Sequence, residues 1–493
     1  MNFSILFAND IKIFFPEIFF SLAILIVLVY GVLVATSLTY NYPLISRNIY
    51  ALVLYVIFLT GLLVLNNPVD YALIFQKTFL HDDLSRIAKL FVLGSAFACL
   101  ILSQSYVENS QINNYEYFLL ILFSIFGLNL LISSNDLISA YLAIEMQALS
   151  FYVMASFQRR SVFSTEAGLK YFILGAFSSG LLLYAFSLIY GVTGTTNLVN
   201  IKNFCLDPYF DGANIIQIAL IFLTAGFLFK IAAFPFHMWS PDVYEGSPTS
   251  ITIFFAVVPK LAVVTFFVRL YSFSFPSFSG VWEKVLLFSA LGSIIYSAFV
   301  SIKQNSLKRL LAYSSIGHVG FILLPLSTNS LDGLQAVFFY MLVYMITSLP
   351  TWAVVLACMN GKKNSQNNIN ILAGLSTASP IMGILAALAF FSLAGIPPLV
   401  GFYSKIFVFF SAIKSSLYIV AFIVLAASVV STFYYISVVK TIYFEKNRNW
   451  IFYNTISKEK SIILSISLIL LVFLFVNPNV LLLLSQQMAL SVI

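Results

Sequence analysis

Four charged residues stand inside apolar stretches of this sequence: Glu145, Lys230, Lys260 and Lys405. The chain is 9% charged and 61% hydrophobic, so the placement of each charge carries information. A charged group at the centre of a membrane helix opposes insertion by about 2.5–3.5 kcal/mol. Four unpaired groups oppose it by about 10–14 kcal/mol. Buried acids and amines of this kind mark ion or proton paths. Glu145, in Tyr141–Ala148, is the one acid near the centre of an apolar span. Lys230 precedes Pro235 by five residues, Lys260 follows Pro259 directly, and Lys405 lies in Tyr403–Ile406. An amine withdrawn from water has a protonation state that answers to neighbouring charges, as a proton relay requires. Parting two unit charges that start about 4 Å apart takes about 4 kcal/mol at an effective dielectric of about 20, or about a thousandfold in a proton equilibrium. Separating a buried glutamate from a lysine partner is therefore enough to drive a proton from one amine towards the next. The competing reading is a buried pair that only fixes helix packing.

Other candidates are less central. His318 is mid-span in Ser314–His318 and serves either as a relay between two halves or as a hydrogen-bonded packing residue. Lys170, in Ala167–Phe172, is nearer a span end, where it either joins the relay or snorkels to the interface. His237 beside Trp239 reads as an anchor at a helix break, and Glu17 after Pro16 as an interfacial residue.

These residues need membrane helices to hold them. Hydropathy divides the chain into about fourteen spans of about 20 residues each: 14–36, 48–66, 84–104, 115–133, 137–157, 167–190, 215–238, 247–271, 282–301, 307–327, 333–358, 379–412, 416–442 and 461–484. The expected fold is an all-α polytopic membrane protein. Loops after odd-numbered spans hold twelve Lys and Arg, among them Arg159, Arg160, Lys303, Lys308, Lys362 and Lys460, against four in the other loops. The positive-inside rule puts the basic loops in the cytoplasm or matrix and both termini on the opposite side.

Proline interrupts two spans, at Lys230–Pro235 and at Ala394–Leu399 with Pro397 and Pro398. Each should break its helix, because proline lacks an N–H and clashes with the preceding turn. The breaks are about 160 residues apart, and paired interruptions of this type are the mark of repeat-built transporters. The predicted organisation is a three-helix segment over 1–114, a five-helix unit over 115–275, an inverted five-helix unit over 276–445 and a last helix over 446–493.

Composition excludes several functions. The net charge of +7 is spread without a basic run, which gives no nucleic-acid footprint. Cys99, Cys205 and Cys358 are far apart and form no metal or cluster motif. There is no phosphate-binding loop, dinucleotide fingerprint or haem-ligand pair. The chain is expected to bind no cofactor and to carry no redox centre. The apolar stretch Ile11–Ala35 is too long for a cleavable signal.

Several segments in order carry a resemblance. FKIAAFPFHMWSPDVYEGSPT (Phe229–Thr249), AYLAIEMQALSFYVMAS (Ala140–Ser156), STEAGLKYFILGAFSSG (Ser164–Gly180), KRLLAYSSIGHVGF (Lys308–Phe321) and AGIPPLVGFYSKIFVF (Ala394–Phe409) resemble the antiporter-like membrane subunits of respiratory complex I, and within them the subunit 2 or bacterial subunit N branch. The likeness runs over nearly the whole chain and leans towards mitochondrially encoded forms of plants, algae or protists. It implies about fourteen helices with two inverted five-helix repeats and two broken helices. It implies a coupling glutamate at Glu145, lysines at Lys170, Lys230 and Lys260, and an outlet lysine at Lys405, with His318 linking the halves. It also implies partners: neighbouring membrane subunits, and other subunits that carry flavin, iron–sulfur clusters and the ubiquinone site. Pro350, in Thr347–Trp352, departs from the family pattern.

The expected function is proton translocation in the mitochondrial inner membrane (or a bacterial plasma membrane), driven by remote NADH-to-quinone electron transfer. The runner-up is a free-standing cation/proton antiporter subunit, which needs no redox partner. A third reading is a structural subunit whose charges only hold helices together.

Overall fold

A computed structural model describes residues 9–34, 46–110, 114–207, 212–359, 368–445 and 457–492. The basic residues Lys362, Lys363, Lys446 and Arg448 used for orientation lie outside them. The architecture is helical, with a single two-stranded hairpin among the described residues, β1 (Ala72–Ile74) and β2 (Phe79–His81). The helices are α1 (Phe15–Val34), α2 (Ser46–Leu65), α3 (Asp83–Asn109), α4 (Tyr115–Ser133), α5 (Leu137–Ala155), α6 (Val162–Thr193), α7 (Leu198–Cys205), α8 (Ala213–Lys230) and α9 (Trp239–Gly246). They continue with α10 (Thr249–Val268), α11 (Ser279–Ile302), α12 (Leu307–Leu326), α13 (Leu331–Met359), α14 (Pro380–Ala394), α15 (Val400–Lys414), α16 (Tyr418–Phe444), α17 (Lys458–Val476) and α18 (Asn479–Leu490). Among the described residues thirteen helical stretches are long and apolar enough to cross a membrane, and with the broken pair α14–α15 taken as one interrupted span the number agrees with the expected fourteen or so.

Burial sorts these helices. Every residue of α10 is buried, and α12 is nearly as enclosed. By contrast α1, α2, α16 and α17 expose rows of large apolar side chains such as Ile26, Phe58, Phe422 and Ile469, as lipid-facing helices do. Lys260 of α10 and His318 of α12 therefore sit at the centre of the bundle.

Two boundaries differ from the sequence reading. The seventh span does not run to residue 238: α8 ends at Lys230, where Ala232 takes a positive φ of 60° and the Ala232 and Ala233 N–H groups bond back to Phe229 and Leu228 at 3.0 and 2.8 Å. The last span is two helices divided at Asn477-Pro478, because proline cannot continue the ladder of α17. The prolines Pro259, Pro325 and Pro350, in contrast, lie inside continuous helices. Around Pro350 the hydroxyls of Thr347, Ser348 and Thr351 bond to the Tyr344, Met345 and Ser348 carbonyls at 3.1, 3.2 and 2.7 Å. Lys308 and Lys460, counted above as loop residues, are buried within helix starts.

The outer end of α10 is clamped. There α10 passes into a π-helical turn, Arg269–Ser274. Arg269 donates from Nη2 to both oxygens of Asp82 at 2.8 and 2.7 Å and from Nη1 to the Ile132 carbonyl at 3.0 Å. Asp82 also caps α3, accepting from the Ser85 N–H at 2.9 Å. One ion pair thus ties α3, α4 and α10. Removing one partner of a buried pair destabilises by about 3–5 kcal/mol, because the other charge is stranded. Arg269→Met is expected to lower the amount of chain retained in membranes, and Asp82→Ser with Arg269→Met to recover part of it, as read by quantitative immunoblotting. Full retention of the single variant contradicts the clamp.

Candidate functional site

Five helices, α10, α12, α13, α15 and α16, build a row of polar groups. Lys260 follows Pro259 on α10, and its Nζ donates to the Tyr344 hydroxyl of α13 at 3.1 Å. The Tyr344 hydroxyl donates to the Ala256 carbonyl at 3.3 Å, one turn back on α10. The His318 ring of α12 lies 5.2 Å from the Tyr344 ring, centroid to centroid. His318 makes two hydrogen bonds, Nδ1 with the Tyr340 hydroxyl at 2.7 Å and Nε2 with the Tyr435 hydroxyl of α16 at 3.0 Å. A neutral imidazole donates from one nitrogen and accepts at the other, so this ring can pass a proton by exchanging tautomers.

Lys405 completes the row. It sits on α15, just past the second break, and its Nζ donates to the Ala394 carbonyl at 2.5 Å. That carbonyl is exposed by the ending of α14, where Gly395 adopts a φ of 79°. A Cβ at residue 395 would come within 2.7 Å of the lysine stem, so both the backbone and the packing call for glycine. Two small cavities flank this amine and both reach His318. One is lined by Tyr340, Tyr344, Ser392 and Ser404, the other by Ser314, Tyr434 and Tyr435. Each offers about 10 Å³ to the centre of a water molecule, about the space of one water. Ser392 Oγ, buried there without a protein partner among the described residues, is a ready ligand for that water.

The structure therefore brings together Lys260, His318 and Lys405. It holds Lys230 and Glu145 apart from that row. Lys230 closes α8 at the first break, half-buried, and Glu145 on α5 is near enough to act on it electrostatically. No ion pair within 4.0 Å joins them among the described residues, and Glu145 Oε1 is buried without a hydrogen-bond partner. The break around Pro235 is closed by Trp239, whose indole N–H donates to the Phe229 carbonyl at 2.9 Å. His237 stacks there on Phe234 and Tyr296, which fits an anchoring role. Lys170 is a surface residue in this chain: it pairs with Glu166 and Asp242, both at 2.8 Å, while Arg309 contacts Asp242 and Glu245, both at 2.7 Å.

Some groups escaped the sequence reading. Tyr340, Tyr344 and Tyr435 supply the links of the row, but in a chain that is 17% aromatic nothing distinguished them from ordinary core. Glu17, in the first turn of α1, is enclosed by protein. It is buried against Lys89 of α3 in an ion pair, with the imidazole of His81 close by. Lys89 five residues into a predicted span was the available signal.

With the geometry in view, comparison with known proteins is direct. Residues 134–431 match the family described as NADH:quinone oxidoreductase/Mrp antiporter, TM. NADH-ubiquinone oxidoreductase chain 2 of Marchantia polymorpha is 41% identical over 495 residues, 98% of this chain and 99% of that protein. NADH-quinone oxidoreductase subunit N of Pelagibacter ubique is 41% identical over 474 residues, 95% and 97% of the two chains. A chain in the structure of respiratory complex I from Thermus thermophilus with bound aureothin superposes with a TM-score of 0.80 at 27% identity, covering 95% of this chain and 98% of that one. A polytopic bundle with broken helices around buried amines defines a membrane ion-translocating class. Within it, the chain belongs to the NADH:quinone oxidoreductase/Mrp antiporter family.

The buried pocket around Glu17 gives a pH test. Burial, and then the Lys89 ammonium, push the His81 imidazole below its ordinary value of 6.5, against Glu17 and Asp82. The folded chain thus binds fewer protons at His81 than the unfolded chain. Stability from the neutral ring is present above about pH 6.5 and declines as the pH falls towards the lower folded value. Melting temperature is expected to drop between about pH 7.5 and 5.5, with a shallower slope in His81→Gln. Identical slopes contradict this assignment.

Proposed function

We propose that this chain is the subunit 2 or N-type membrane subunit of an NADH:quinone oxidoreductase and that it moves protons along Lys260, His318 and Lys405. The observation that carries the reading is a row of polar groups across the bundle centre in two hydrogen-bonded segments, Lys260–Tyr344 at 3.1 Å and Tyr340–His318–Tyr435 at 2.7 and 3.0 Å, with the His318 and Tyr344 rings 5.2 Å apart. Near-full-length similarity to subunits of that enzyme supports the assignment.

In this reading Glu145 receives the electrostatic signal from a neighbouring subunit seated on the exposed apolar face of α5, where Leu142, Leu149 and Val153 lie uncovered. Moving Glu145 towards or away from Lys230 changes the field at Lys260. The proton then passes through the Tyr344 hydroxyl or a neighbouring water to His318, and onward to Lys405. Lys405 exchanges with one aqueous side through the break at Pro397 and Pro398. Lys170 tunes the charge at the basic-loop end. The chain holds no redox centre, and flavin, iron–sulfur clusters and ubiquinone belong to partner subunits. The five-helix units over 115–275 and 276–445, flanked by 1–114 and 446–493, each contribute one broken helix. Composition and the Marchantia relative favour the mitochondrial inner membrane over a bacterial one.

The family's description also covers Mrp antiporters, so a free-standing cation/proton antiporter is the second reading. Native electrophoresis of mildly solubilised membranes, with an NADH-dehydrogenase stain and mass spectrometry, separates the two. The chain is expected in the large active band; recovery only in small inactive assemblies favours the antiporter. In assembled complex, Glu145→Gln and Lys405→Ala are each expected to lower the H⁺/e⁻ ratio or coupled quinone reduction. Unchanged values in both variants contradict the relay.

A further inference from the structure

Two adjacent basic residues open α12 and part company. Arg309, partly exposed, takes the carboxylates of Asp242 and Glu245. Lys308 turns inward, is 5% exposed, and its Nζ donates to the Ser247 carbonyl at 3.0 Å. Among the described residues no carboxylate lies within 4.0 Å of it. An ammonium has three donors, and this one shows a single protein acceptor. Burying a charge so placed is unfavourable unless water or function compensates.

The surroundings supply a route for water. The hydroxyls of Ser247 and Thr249 are buried without hydrogen-bond partners among the described residues, and that of Ser250 is buried beside Tyr117. Such atoms mark positions where ordered water bonds. Next comes Tyr244 of α9, buried, whose hydroxyl donates at 3.4 Å to the Phe255 carbonyl. That is the carbonyl Pro259 leaves free, since proline offers no N–H to the residue four before it. The same hydroxyl stands beside that of Ser315, and Tyr244 lies near Tyr344. Ser315 is two turns from Lys308 on one stripe of α12, and His318 is one turn further, about 15 Å along the axis in all.

We propose that Lys308 is the proton-uptake residue on the basic-loop side, feeding Lys260 through water held by the Ser247–Ser250 turn and the hydroxyls of Tyr244 and Ser315. The proposal rests on the proton-translocation reading and extends it to a residue outside the relay described above. The step balances without a redox partner. A proton from water that reaches the aqueous mouth between Asp242, Glu245 and Arg309 adds to the neutral Lys308 amine. Breaking a different N–H bond then passes a proton to the first water of the inner chain, each O–H along it shifts by one place, and the last proton reaches the Lys260 amine. Lys308 returns to its neutral form.

The test separates charge from proton exchange. Lys308→Arg keeps the positive charge and a donor for the Ser247 carbonyl but cannot deprotonate. It is compared with Lys260→Ala in the assembled complex, reading NADH-dehydrogenase activity on native gels and the H⁺/e⁻ ratio in coupled vesicles. The expected result is normal assembly of Lys308→Arg with the ratio lowered to that of Lys260→Ala. A purely structural Lys308 is rescued by arginine, so a wild-type ratio in Lys308→Arg beside a lowered one in Lys260→Ala overturns the proposal. Wild-type ratios in both variants reject the proton reading itself. Should the arginine variant not assemble, Tyr244→Phe decides: it removes one hydroxyl of the route, a lowered ratio supports the inlet and a wild-type ratio overturns it.

Discussion

An ammonium inside a membrane bundle must find an oxygen, and most of this structure follows from how each one does. Lys89 has the Glu17 carboxylate, Lys260 the Tyr344 hydroxyl, Lys405 the Ala394 carbonyl and Lys308 the Ser247 carbonyl. Only the first of these partners carries a compensating charge. A neutral oxygen holds the amine in place without fixing its proton there, whereas a carboxylate at contact distance favours the charged form strongly. Lys260, Lys405 and Lys308 are thus positioned by neutral oxygens, as the proposed relay requires.

Helix ends provide two of these oxygens, the Ala394 and Ser247 carbonyls. A continuous helix consumes its own carbonyls, so an interior lysine can bond to backbone only where the ladder is interrupted. The ending of α14 exposes Ala394, and the turn between α9 and α10 exposes Ser247. Elsewhere side chains take up helix carbonyls: Tyr244 bonds to Phe255, and Trp239 adds a second bond to Phe229 beside that from the Ala232 N–H. The Asp82–Arg269 clamp then fixes the outer end of α10 and with it the position of Lys260 two to three turns away.

Much of this was legible in the sequence, because charge and proline are rare enough in apolar spans to stand out. Glu145, Lys230, Lys260, His318 and Lys405 were found that way, as were both breaks. What stayed hidden has physical causes. Pro235 and Pro397-Pro398 follow helix ends while Pro259, Pro325 and Pro350 lie inside helices; at Pro259 the freed Phe255 carbonyl is taken by the Tyr244 hydroxyl, a tertiary contact that spacing along the chain does not reveal. The relay tyrosines look like core until a buried nitrogen is seen facing them. Lys308 and Lys89 were hidden by their nearness to helix starts, where a basic residue reads as an interfacial anchor, and only burial separates the two cases. The separation of Glu145 from Lys230 is equally a matter of side-chain placement that spacing along the chain does not fix.

The account stands on one contact chain at the centre of the bundle. Its most direct test removes a single oxygen from that chain and leaves every charge and ring in place: the H⁺/e⁻ ratio of coupled vesicles containing Tyr344→Phe in fully assembled complex. The account predicts normal assembly with a lowered ratio, because Lys260 loses its hydroxyl link towards His318. A wild-type ratio in that variant would contradict it.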